Sequence, residues 1–237
     1  MILAWLLLGL SAVQIGGRAL GRPSLTGRLL LRLGLPRTFG TAALGLWLGW
    51  GLPAALALLL LGKVDAAWRM PSELDPAAAV VRGWGLFDAW EVLLGVALGS
   101  LLSAALAWWR ARRGRQPFTI GRPPRLPRTW RELPAGAVVA VSAGVAEELY
   151  FRLALPLAAA LAIGSAWVGV ALSAAAFGLA HRYQGRAGMV ATGLAGLFLS
   201  ALHLGTGELW LAMACHAAID VNALVIRPAA VLAAARR

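Results

Sequence analysis

Glu147 and Glu148 are adjacent carboxylates, and Arg152 follows four residues after Glu148. All three sit in an otherwise apolar run from Pro134 to Leu161. At membrane depth each of these groups is costly unless it is paired or faces a polar cavity, so the default reading is a functional site. Glu148 and Arg152 share a helix face and can pair. Glu147 points about 100° away from Glu148, which leaves it free for another task. Further along, His181 stands four residues after Phe177, and Asp220 one turn after His216. A carboxylate beside a histidine in a low-dielectric pocket can act as general base toward a trapped water. A second histidine with a polar partner can stabilise developing negative charge. The set Glu147, His181, His216 and Asp220 could instead hold a divalent metal such as zinc, with the water position left open.

These residues need elements to carry them, and composition says which kind. The 237 residues are 60% hydrophobic and 14% charged, with a mean hydropathy of +0.74. A water-soluble domain carries about a quarter charged residues. The expectation is therefore an all-α, polytopic membrane helix bundle. Seven apolar runs are readable, at 2–17, 39–62, 86–109, 134–162, 165–181, 187–204 and 208–226, against the about 20 residues that a span requires. The first run lacks a basic region before it and a small-residue cleavage site, and reads as a span rather than a signal sequence. Pro156 should kink or end the fourth helix just beyond the charged cluster.

The net charge of +12 does not point to nucleic acid, because the arginines sit between apolar runs rather than over a soluble surface. Five lie in 18–38, eight in 110–133, two in 182–186 and three in the tail from Arg227. With seven spans these segments share one side, while Lys63, Arg69 and Arg82 on the other are offset by Asp65, Glu73 and Asp75. That asymmetry puts the C-terminus in the cytoplasm and the N-terminus outside, in a multi-pass protein of the cell membrane. Trp84, Trp90, Trp108, Trp109, Trp167 and Trp210 read as interfacial belts. Gly45-x-x-x-Gly49 and Gly95-x-x-x-Gly99 read as faces for close helix contact within the bundle. Ser24–Leu35 reads as an interfacial helix, and the proline-rich stretch 114–131 as an extended surface linker.

Helix rise places the site. Glu147 lies about 20 Å into its span from the cytosolic end, and His216 about 12 Å in from the outer end. In a hydrocarbon core about 30 Å thick these depths nearly coincide. The same arithmetic leaves His181 nearer the cytosolic edge.

The succession Glu147-Glu148-x-x-x-Arg152, Phe177-x-x-x-His181 and His216-x-x-x-Asp220 resembles the CPBP intramembrane proteases. That family is also known by the Abi and CAAX-protease names, and includes the eukaryotic endoprotease that trims prenylated CAAX proteins. The resemblance covers about residues 134–226, a catalytic membrane core between N-terminal helices with a basic linker (1–133) and a basic tail (227–237). It implies peptide-bond hydrolysis in a membrane cavity open to the cytosol, on a membrane-associated protein or peptide substrate. It implies that Glu147 activates the water with help from His181, and that Glu148, Arg152 and Phe177 shape the site or bind substrate. It further implies that His216 and the residue at 220 polarise the scissile carbonyl. Some members have asparagine at the place of Asp220. An ionised aspartate cannot donate to an oxyanion, so Asp220 either orients His216, ligates a metal or is protonated. Members are described both as metalloproteases and as glutamic proteases, so metal dependence stays open, and oligomeric state is not readable.

Two rival functions fit the same residues. One is an ion- or proton-coupled transporter using the buried carboxylates as a relay. It fits less well, because intramembrane charge is confined to the C-terminal half, whereas such carriers show paired repeats. The other is a non-catalytic membrane immunity or chaperone protein of the same fold. The remaining candidates have plainer readings. His203, near the outer end of its span, reads as structural. Cys215, the single cysteine, points about 100° away from His216 and reads as a small buried residue.

Overall fold

The computed structural model describes residues 1–20, 25–36, 38–86, 88–118, 120–121 and 125–235, without the side chains of Arg18 and Ala19. Expectations resting on Arg22, Ser24, Arg37, Arg122, Arg236 and Arg237 lie outside the described residues. Regular structure within them is helical throughout: α1 (Ile2–Ala19), α2 (Leu25–Arg32), α3 (Phe39–Leu60), α4 (Asp75–Gly83), α5 (Ala89–Arg112), α6 (residues 133–163), α7 (Ala166–Ala180), α8 (Gly185–Thr206) and α9 (Leu209–Ala234). The all-α expectation holds, and helix occupies each of the seven apolar runs. Helices α3, α5, α8 with the turn before it, and α9 are long and apolar enough to cross a membrane. Helices α1 and α7 are apolar but shorter, and α6 carries the three charges. The chain is a multi-pass membrane protein.

Local chemistry sets the helix ends. Asp88 opens α5 by accepting from the backbone N–H of Trp90 at 2.9 Å and of Glu91 at 3.2 Å. Gly164, at φ +78°, closes α6, and the next residue, Ser165, opens α7 by accepting from Val168 N–H. Left-handed backbone suits glycine, and serine suits the N-cap. The turn is therefore as short as a helical hairpin allows, and α6 and α7 leave it at the same level.

Three helices contain an interior proline, and each absorbs it in the same way. Pro53 in α3, Pro156 in α6 and Pro228 in α9 each follow a π-helical turn, at Trp47–Gly51, Leu149–Ala154 and Asn222–Ile226. Proline removes one N–H and crowds the carbonyl four residues earlier; a wider turn relieves both. The expectation that Pro156 ends or kinks the helix gives way to this finding, since α6 runs on to Ile163.

Without water to drive them together, membrane helices associate through close packing and small residues. The central contact is α6 against α9. A Cβ on Gly144 would come within 2.7 Å of Ala217 N, and one on Gly136 within 2.9 Å of the Leu224 carbonyl oxygen. The pair Gly95 and Gly99 does not do this work. Gly95 and Gly99 have nothing within 4 Å of an added Cβ, and Gly45 meets only Leu30. Lipid-facing α5 exposes most of its surface and is held through polar ties. Ser103 Oγ donates to Asn222 Oδ1, and Asn222 Nδ2 donates to the Ser100 carbonyl, both at 2.9 Å. Helix α1 is bonded into the bundle by Tyr150 donating to Ser11 Oγ at 2.6 Å and by Gln14 donating to the Gly49 carbonyl. The six expected belt tryptophans are exposed, whereas Trp50 is buried against Tyr150 and Phe151. The stretch 114–131 is only partly a surface linker, because Pro127 is buried against α6 at Gly136. At its end Glu132 accepts from the Arg128 backbone N–H at 2.7 Å and from Arg125. The Arg128 bond, the largest contribution, holds the Glu132 carboxyl below the usual carboxylate range.

Candidate active site

The second half of α6 presents its charged residues to three helices. Glu148 has no exposed surface and Arg152 is 2% exposed. Arg152 Nε lies 2.9 Å from Glu148 Oε2. Its alignment is that of a charge contact rather than of a hydrogen bond. The guanidinium also stacks over the Phe177 ring of α7, 4.4 Å from its centroid. Glu148 uses its other oxygen on α9, where His216 Nδ1 donates to Oε1 at 2.7 Å. One buried carboxylate thus meets a guanidinium on one side and an imidazole on the other, the arrangement a buried charge requires.

The Phe177-x-x-x-His181 spacing has a local cause. His181 caps α7, and its Nδ1 donates back to the Phe177 carbonyl at 2.9 Å, one of the orphan acceptors at a helix C-terminus. The Phe177 ring packs against Phe151 and edge-on to both imidazoles, at 4.7 Å from His181 and 5.9 Å from His216. Both histidines therefore have Nδ1 committed to an acceptor. That choice fixes which nitrogen is left over.

Both remaining Nε2 atoms face the same atom. Glu147 Oε2 lies 3.8 Å from His181 Nε2 and 3.9 Å from His216 Nε2. His216 Nε2 is also 3.7 Å from Asp220 Oδ2. The four residues surround one point without bonding directly to one another across it. A water oxygen at hydrogen-bonding distance, about 2.8 Å, fits between Glu147 and His181. Tetrahedral metal ligation at about 2.0–2.2 Å puts ligand atoms roughly 3.4 Å apart. The separations here are wider, and among the described residues no group of three or more metal-type side chains converges closely enough to hold an ion. As it stands, this donor set does not fit a metal.

His181 and Glu147 stand at the same level of the bundle, their side chains 3.8 Å apart. Glu147 is sixteen residues before Ile163 and His181 fifteen after Ala166. Both are roughly 23 Å from the Gly164–Ser165 turn at about 1.5 Å per residue. Asp220 stands on the Nε2 side of His216; the orienting bond at Nδ1 belongs to Glu148.

Glu147, His181 and Asp220 line a cavity of about 520 Å³, together with Thr38, Phe39 and Ala42 from the start of α3, Arg125 and Tyr183. It sits at the end of the bundle where the basic segments gather. Two further residues support the charged turn. Ser173 of α7 donates to the Phe151 carbonyl. Its place four residues before Phe177, on the same face, was readable in the spacing. His203 of α8 is not away from the site. It is 2% exposed and hydrogen-bonds to the backbone of Arg152, whose carbonyl Pro156 cannot serve as a donor. The missing proline N–H was the available signal. Cys215 is fully buried.

One comparison with known proteins covers the stretch of chain that carries these residues. Residues 129–222 match the family model described as type II CAAX prenyl endopeptidase Rce1-like. No curated protein and no solved structure matches the chain. The matched segment contains Glu147, Glu148, Arg152, Phe177, His181, His216 and Asp220; of these Glu147, His181 and Asp220 line the cavity. Over this segment, the core of the bundle, the chain is similar to the Rce1-like family of CAAX-type endopeptidases.

Proposed function

We propose that the chain is an intramembrane endopeptidase in which Glu147 activates a water to cleave a peptide bond of a membrane-associated protein or peptide. The observation that carries this reading is the convergence of two imidazole Nε2 atoms on one oxygen of Glu147. In this reading, water hydrogen-bonds to Glu147 and to His181 Nε2, a lone-pair nitrogen because its Nδ1–H is spent on Phe177. Glu147 takes a proton as the water oxygen bonds to the carbonyl carbon. The oxyanion so formed faces His216, which donates from Nε2 when the ring carries both protons, with Glu148 holding the opposite nitrogen. On collapse the C–N bond breaks, and the proton held by Glu147 passes to the leaving nitrogen. Arg152 neutralises Glu148 and touches no reacting atom. Asp220, which lines the same cavity, shares the oxyanion with His216 as a protonated carboxyl in this reading.

The reading includes seven spans with the basic end in the cytosol, so the cavity opens to the cytosol. Purified protein in liposomes with a membrane-anchored peptide tests it. Two complementary fragments should appear by mass spectrometry with wild type and not with Glu147→Ala or His181→Ala. Flux across the liposome membrane that depends on Glu147, with the peptide intact, would replace this reading with the transporter.

A further inference from the structure

A second cavity, of about 960 Å³, lies beside the first at the same end of the bundle. The two share Arg125, and their walls meet along the π-turn of α9, with Leu224 on one side and Ala223 on the other. The second is amphipathic. Arg125, Arg128 and Arg227 line one part, and Ile120, Val231 and Leu232 another. Among the described residues no aspartate or glutamate lines it. Arg125 is already offset by Glu132 at 3.3 Å, so the excess positive charge belongs to Arg128 and Arg227. Arg227 is held against the linker by donating to the Phe118 carbonyl.

We infer that this cleft binds an anionic phospholipid, with Arg128 and Arg227 on the phosphate and an acyl chain along Ile120, Val231 and Leu232. The volume falls in the range of small-molecule sites. Val231 and Leu232 with Arg227 come from the end of α9, and Ile120 with Arg128 from the linker, so both elements bring a cation and an apolar side chain to one cleft. Basic pockets between membrane helices recognise anionic headgroups in this way. A soluble phosphate uses the arginines and leaves the apolar wall without a role. This inference stands whether or not the neighbouring site hydrolyses peptides.

The test uses the full chain in neutral detergent, with phosphatidylglycerol or phosphatidylcholine added and retained lipid read by native mass spectrometry. Phosphatidylglycerol should be retained at least tenfold over phosphatidylcholine. One basic residue at an anionic surface is worth about a fivefold change, so R128Q/R227Q should lower retention roughly twentyfold. R128K/R227K should keep most of it, and Leu232→Gln should weaken it. R112Q, which removes an exposed arginine stacked on Trp108, should change nothing, and Glu147→Gln should bind lipid like wild type while losing cleavage. Equal retention of the two lipids, or an equal loss in R112Q, would overturn the site. Displacement by glycerol phosphate would assign it to a free anion, and displacement by the peptide substrate to a protein ligand; either also overturns it.

Discussion

His216 gives its Nδ1–H to Glu148 Oε1 at 2.7 Å. Because that nitrogen is committed, Nε2 is the one turned toward Glu147 and the cavity. The two adjacent glutamates therefore have opposite duties. Glu148 is buried, paired and structural in its effect. Glu147 has no direct bond to either imidazole and lines the cavity, where the proposed mechanism puts the water.

Neutral amide substitutions should separate these duties. Glu147→Gln should unfold within about 2 °C of wild type, because no close ion pair is lost, while cleavage falls by about 10²–10⁴-fold. Glu148→Gln strands the buried Arg152 charge, a loss of about 3–5 kcal/mol, and should lower the unfolding temperature as well as activity. Thermal unfolding in detergent alongside peptide cleavage reads both. A stable, inactive Glu148→Gln with an unstable Glu147→Gln would reverse the assignment.

Phe177 links Arg152 to the imidazoles through its ring face and edges. A desolvated cation–π contact is worth about 2 kcal/mol. Phe177→Leu should cost about that in stability and lower kcat more than tenfold, with KM little changed. A variant with wild-type kcat would show that the ring only fills space.

Pro156 is the cause assigned to the π-turn at Leu149–Ala154. Pro156→Ala restores an N–H and allows a regular helix. Folding should be unimpaired or improved while cleavage falls at least tenfold, since Arg152 and the residues after it change register with the cavity. Circular dichroism and cleavage together check this; unchanged activity would mean the turn persists for another reason.

Gly144 sets how near α9 comes to α6. Gly144→Val places atoms where Ala217 N is 2.7 Å from an added Cβ, and should abolish activity by moving His216 from Glu148. Gly95→Ala and Gly99→Ala, which meet nothing within 4 Å, should unfold and cleave like wild type. A cysteine pair across α6 and α9, tested for cross-linking, would report the change in spacing.

Much of this was legible in the residues. The apolar runs and the Glu148–Arg152 pair follow from hydropathy and a four-residue spacing, and the structure carries both. Depth was harder. Counting from the cytosolic end of its run puts His181 nearer that edge, whereas counting from Gly164–Ser165 puts it level with Glu147. Helix contacts were harder still. Gly95 and Gly99 have the four-residue contact spacing and Gly136 and Gly144 are eight apart, yet it is the second pair that α9 presses. The link from His203 to the Arg152 backbone joins residues fifty-one apart in the chain, and no local periodicity announces it.

The most direct measurement is the cleavage rate of purified protein after strict chelation, set beside that of Glu147→Gln on the same membrane-anchored peptide. The account predicts that the chelated wild type keeps its full rate while Glu147→Gln loses at least about 100-fold. A chelated wild type that is inactive until zinc is restored, or a Glu147→Gln that cleaves at the wild-type rate, would contradict it.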